Sequence, residues 1–262
     1  MKNFYAISTF LILLSWVSCK PNEQKQPDKS KPNPLDTVTN FSGILINKEG
    51  SISISINHQY DGKPLLFDSV YYTMASGDTI NVERLRYYIS NITLVEPNGN
   101  EQNLKSYHLI NPKVNRNLTF KINNVKPGIY NKIKYLIGID SLTNSTRVGS
   151  GEIDPALGMF WDWNTGYIFY QIEGRTAKGD VYSLHLGGNG NQIKIEHNIA
   201  NYKLKSTNPI ITLNLNYSEV FKNPITYDFK IRPMQMHMPT SPAAPIMRDN
   251  LADVLMIADI TP

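Results

Sequence analysis

Polar and apolar residues alternate strictly from Ser51 to Ile56, which reads SISISI, so Ile52, Ile54 and Ile56 share one face of a half-buried strand. Arg86 to Leu94 (RYYISNITL) predicts a second strand, stopped by the turn residues Pro97 to Gly99. Alternation returns in Asn117 to Ile122 (NLTFKI), and a KPG turn leads from it into IYNKIKYLIGID. Further strands are expected over Met159–Glu173, Val181–Leu186, Gln192–His197 and Ile210–Tyr217, with short helices near Ser218–Phe221 and Pro245–Ala252. Within Met159–Glu173, Met159, Trp161 and Trp163 fall on one face and Phe160, Asp162 and Asn164 on the other. The turn residues Asn164 to Gly166 then return the chain as a partner strand. Many strands at short spacing, with turn signals between them and no internal repeat, predict an all-β fold. The expected form is an antiparallel β-sandwich with one or two short helices.

The first forty residues break this pattern. Lys2 precedes an apolar run from Ala6 to Leu14 that is shorter than a membrane-spanning helix requires. WVSC ends it at Cys19, the single cysteine of the chain, as in a bacterial lipoprotein signal. The expectation is a signal over residues 1–18, lipid on Cys19, a polar and proline-rich tether over 19–40, and one domain over 41–262. That localises the protein to the bacterial cell envelope, held at the outer membrane by its lipid. The formal net charge of +4 falls to about +2 once leader and tether are set aside, which gives no electrostatic case for nucleic acid. The domain has no thiol, so disulfides and thiolate metal ligands are excluded.

Two of the three tryptophans, Trp161 and Trp163, stand one residue apart beside Met159. Such rings serve first as core. The stretch also carries a resemblance. LRYYISNITLVEPNG (Leu85 to Gly99), YHLI (Tyr107 to Ile110), GIYNKIKYLIGID (Gly128 to Asp140), GEIDPALGMFWDWNTGYIFYQIEG (Gly151 to Gly174) and HLGG (His185 to Gly188) resemble the MbnP-like domain family of periplasmic copper-binding proteins. The most specific part is the Gly-Met-aromatic-Trp-x-Trp-x-x-Gly-Tyr block. The resemblance implies a β-sandwich and a copper site. It also implies, as in some members, a tryptophan converted to kynurenine by a partner dihaem enzyme of the MauG type. Asn144 is followed by Ser145 where methanobactin-operon members carry Asn-His, and their cysteines are missing, which aligns the chain with the Bacteroidota lipoprotein branch.

Without cysteine, copper would be held by imidazole, thioether, carboxylate or carbonyl groups. His185, in YSLHLGG, matches a family position, and His58, in NHQYDGKPL, occupies a place where the family often has histidine. These two are the expected principal ligands, with Trp161 or Trp163 stacked beside the metal. His237 lies in PMQMHMPTSP, with Met234, Met236 and Met238 on the opposite side of an extended segment. His237, Met159 and Met238 are further candidate ligands, the thioethers suiting Cu(I). His108 and His197 read as ordinary strand positions. No nucleophile elbow, zinc-protease, Walker or dinucleotide motif occurs, and GGNGN (Gly187 to Asn191) reads as a hairpin loop. Glu152 and Asp154 on one strand face could form a glycosidase-like pair, and two solvated acids on an edge are the commoner case. The expectation is a non-enzymatic binding protein. The rival is a glycan-binding or adhesion sandwich, with Trp161, Trp163 and Tyr167 as a stacking platform.

Overall fold

The SISISI stretch forms the middle of β1 (Gly50–Tyr60), and Ile52, Ile54 and Ile56 are buried as their alternation requires. There follow β2 (Arg84–Val95), β3 (Glu101–Ile110), β4 (Thr119–Val125), β5 (Lys132–Ile137), α1 (Ser141–Thr146), β6 (Phe160–Trp161), β7 (Gly166–Arg175), β8 (Val181–Gly187), β9 (Ile193–Asn198), β10 (Ile210–Asn216), the two-residue β11 (Gln235–Met236), α2 (Ala244–Asn250) and β12 (Leu255–Thr261). Shorter strands such as Ile44–Ile46 and Gly128–Tyr130 fringe them. This computed structural model describes residues 42–147, 149–161, 166–200, 204–205 and 207–261. The leader, the tether with Cys19, Trp163, and Asn164 and Thr165 of the expected turn lie outside the described residues.

Two sheets carry the fold. In the first, neighbours run β9-β5-β2-β7-β8-β11, with β3 also on β2 and β6 on β7. In the second they run β12-β10-β1, with β4 on the other edge of β1. β10 lies parallel to β1 and β11 parallel to β8, while the other ladders among these strands are antiparallel. The long β2 divides one of its edges: β5 pairs with Ile89–Val95 and β7 with Arg84–Tyr87, while β3 follows the opposite edge. Apolar side chains from both sheets meet in one core that includes Ile54, Ile56, Leu85, Tyr87, Tyr170, Leu184, Leu186 and Leu213. The expected all-β sandwich is the fold found.

The expected helix near Ser218 is a 3-10 turn at Tyr217–Phe221, and α2 occupies most of the second expected span. α1 was not legible in SLTNST, where Leu142 is the one strong helix former among Ser, Thr and Asn. It is fixed from its end, because the Asp140 carboxylate accepts from the Thr143 amide at 3.0 Å as an N-cap. The glycine-rich loop differs from expectation. It leads from β8 to β9, which are not neighbours, so it is not a hairpin. Asn191 holds it, its amide donating to the carbonyls of Gly187 and Pro239.

A second apolar cluster lies on the far face of the first sheet. It contains Tyr88, Leu109, Ile139, Ile153, Met159, Trp161, Tyr167, Ile168 and Phe169. Tyr87 and Tyr88 are adjacent in β2 and belong to different clusters, as strand alternation demands. This face is therefore partly roofed by the segment that carries Met159 and Trp161.

Candidate functional site

Beside that roof, the far face of the first sheet becomes polar. In β7, Tyr170 and Ile172 point into the sandwich, so Gln171 and Glu173 point away from it. In β8, Tyr182, Leu184 and Leu186 point inward, so Ser183 and His185 point away. Cross-strand register aligns these groups in two rungs: Arg84, Glu173, Ser183 and Gln235 in one, Arg86, Gln171 and His185 in the next. Leu184 is opposite the inward Met236 in β11, so His237 emerges on the same side as His185.

The rungs form one hydrogen-bonded network. His185 Nε2 is 2.8 Å from Glu173 Oε1 and 3.1 Å from Ser183 Oγ. Ser183 Oγ is 2.7 Å from His237 Nε2, and the two imidazole centroids are 4.5 Å apart. Arg84 pairs with Glu173 at 3.1 Å, and the Gln171 amide donates to Glu173 Oε1 at 2.8 Å. The hydrogen bond with His185, aided by the charge of Arg84, holds the Glu173 carboxyl below its ordinary range although burial opposes this. Burial, then the neighbouring His185, lowers the His237 pKa, while Glu173 works the other way. Both lowering effects favour the neutral form of the His237 ring. Arg86 joins this network to the roof. Its Nε donates to Gln171 at 2.7 Å, and its two terminal nitrogens donate to the carbonyls of Leu157 and Gly158, each at 2.9 Å.

Trp161 is 2 % exposed and lies on Gly187, two residues along β8 from His185 on the same face. A Cβ at Gly187 would meet the indole at 2.8 Å and the Tyr167 carbonyl, so only glycine lets the ring seat there. Met159 and Tyr167 are both fully buried. A stacking platform for sugars needs exposed flat rings, and Trp161 and Tyr167 offer none. Of that expected platform, Trp163 lies outside the described residues.

The structure parts His58 from His185. His58 continues the parity of Ile52, Ile54 and Ile56 into the sandwich, where its Nε2 meets the Tyr87 hydroxyl at 2.9 Å. Burial lowers its pKa to about 4. Tyr87 is on the core face of the first sheet and His185 on the opposite face, so His58 and His185 cannot share an ion. The thioethers are also displaced from the expected ligand set. Met236 is buried in the core, Met238 alternates away from His237 and is 43 % exposed, and Met159 is enclosed in the apolar cluster. His108 stacks on Phe120 at 3.9 Å and His197 bonds the Tyr135 hydroxyl at 2.9 Å, each in a structural setting. Glu152 and Asp154 sit on 3-10 turns instead of one strand face. Glu152 accepts from the Leu109 amide, Arg116 and Asn117, and Asp154 caps the turn at Ala156.

Two imidazoles are therefore gathered, and among the described residues no three His, Cys, Asp or Glu side chains are grouped so as to hold a metal ion. Sequence reasoning missed Glu173, Ser183, Gln171 and Arg86. The signal was present in the alternation of YQIE and YSLHL, whose apolar members already specify which residues face outward.

MbnP from Methylosinus trichosporium superposes on this chain with a TM-score of 0.52 at 14 % identity, covering 81 % of this chain and 100 % of that one, a likeness of fold. No curated protein compared with the chain matches it. The family model MbnP matches residues 49–238, a span that runs from β1 through His237. The chain belongs to the MbnP family.

Proposed function

We propose that this protein binds copper outside the cytoplasm through the imidazoles of His185 and His237, beside Trp161. The observation that carries the reading is the approach of these two rings, 4.5 Å apart on the one face that also seats the indole. Imidazole suits copper, and a pair of protein nitrogens leaves coordination positions free for a donor or acceptor molecule. Such an open site fits uptake or delivery better than sealed storage. The same residues give no support to nucleophilic catalysis. A triad needs the hydroxyl and the carboxylate on different ring nitrogens, whereas Ser183 and Glu173 both face His185 Nε2. In this reading, lipid on Cys19 anchors the domain in the cell envelope, and a dihaem enzyme of the MauG type is a partner that converts Trp161 or Trp163 to kynurenine.

The test is copper titration of the domain, read by metal analysis after desalting. About one copper per chain is expected, lost in His185→Ala/His237→Ala and retained in His58→Gln. Unchanged binding in the double variant would sink the assignment. Intact mass after coexpression with a dihaem partner should show the tryptophan-to-kynurenine increment on the peptide holding Trp161 and Trp163.

A further inference from the structure

Granted the copper-binding role proposed for His185, on which this inference rests, the neighbours of the ring decide which of its nitrogens takes the ion. Glu173 Oε1 lies 2.8 Å from His185 Nε2, and Arg84 balances the carboxylate from its other oxygen at 3.1 Å. An ionised carboxylate has only lone pairs to offer, so the hydrogen in this contact sits on Nε2. Ser183 follows from this. With a hydrogen on His185 Nε2, the Ser183 oxygen 3.1 Å away meets no acceptor there, so its single hydroxyl proton turns to His237 Nε2 at 2.7 Å. Gln171 Nε2, a donor, lies 3.1 Å from His185 Nε2, but both nitrogens are closer to Glu173 Oε1, at 2.8 Å each, so the ionised carboxylate draws a hydrogen from each of them, while the Gln171 carbonyl is taken by Arg86. The carboxylate thus requires His185 to carry its proton on Nε2, with its lone pair on Nδ1. Once that hydrogen is placed, the Ser183 hydroxyl sets the opposite tautomer at His237, whose Nε2 lone pair accepts from it.

We propose that Glu173 is a positioning residue that, braced by Arg84, locks His185 as the Nε2–H tautomer so that the ring takes copper through Nδ1. A carboxylate behind a ligating imidazole fixes its orientation and raises its basicity. Glu173 reaches His185 diagonally, from the neighbouring rung of the β7–β8 ladder.

Long-range proton–nitrogen correlation on metal-free protein with ¹⁵N-labelled histidine, at a pH where the rings are neutral, reads both tautomers directly. The Nε2–H pattern is expected at His185 and the Nδ1–H pattern at His237. Glu173→Gln should mix the tautomers at His185 and weaken copper binding by about 10- to 100-fold. Glu173→Asp should recover part of that loss, with thermal unfolding confirming that each variant folds. Copper sulfate and, anaerobically, a Cu(I) salt are the probes. An Nδ1–H pattern at His185 in the unaltered protein, or a Glu173→Gln variant that keeps both tautomer and affinity, overturns the proposal. If the expected tautomers appear and the unaltered protein binds no copper, the proposed function falls while the tautomer lock stands.

Discussion

His58 shows how one buried ring links the core to solution conditions. It sits between the sheets as a neutral partner of Tyr87, with a pKa near 4 against 6.5 for a free histidine. Above pH 6.5 both folded and unfolded chains keep this ring neutral, and its contribution is complete. As pH falls from 6.5 toward 4, the unfolded chain takes up a proton that the folded chain refuses, so stability is lost. At about 1.4 kcal/mol per pH unit the loss is on the order of 3 kcal/mol at pH 4. Burial lowers His108 to about 4 and His197 in the same direction, which steepens the fall. Urea midpoints measured from about pH 7.5 to about pH 4.5 should therefore decline, and His58→Gln should flatten the slope; an unchanged slope would show that His58 is not neutral in the core. The inward direction of His58 was readable from SISISINH, since it shares the parity of three isoleucines. A family position drew attention to the residue as a ligand, and alternation placed it in the core.

At the scale of elements, the strands were legible because each half-buried strand writes its burial into period two. β2, β8, β9 and β10 lie close to their expected spans, while β1 runs on past the alternating Ser51–Ile56 to Tyr60. What could not be read was the pairing. GGNGN looks like a hairpin locally, and only the sheet order shows that it joins strands that are not neighbours. The encounter of His185 with His237 was hidden for the same reason, since it depends on a parallel contact between β8 and a two-residue strand with no local signature. The seating of β6 on β8 gives an element-scale prediction. Gly187→Ala places a methyl group against the Trp161 ring and the Tyr167 carbonyl, so it should cost about 1–3 kcal/mol and expose the indole. Thermal unfolding and the tryptophan emission maximum check this. An unshifted melting temperature with unshifted emission would mean that the ring does not rest there.

On the scale of the whole molecule, the proposed lipid on Cys19 would hold the domain at a membrane. Cys19→Ser should move the protein from the detergent-soluble membrane fraction to the aqueous fraction while leaving copper stoichiometry unchanged, as fractionation and metal analysis would show. Persistence in the membrane fraction would count against the anchor. The domain also brings its functional groups together from far apart in sequence. Arg84, Glu173, Ser183, His185 and His237 come from β2, β7, β8 and the end of β11, and become neighbours only when those strands are side by side. A chain not yet folded holds these side chains apart, with nothing to unite them. On the copper-binding proposal, ion capture would then wait for the finished domain, sparing an unfinished one from premature, misplaced metal.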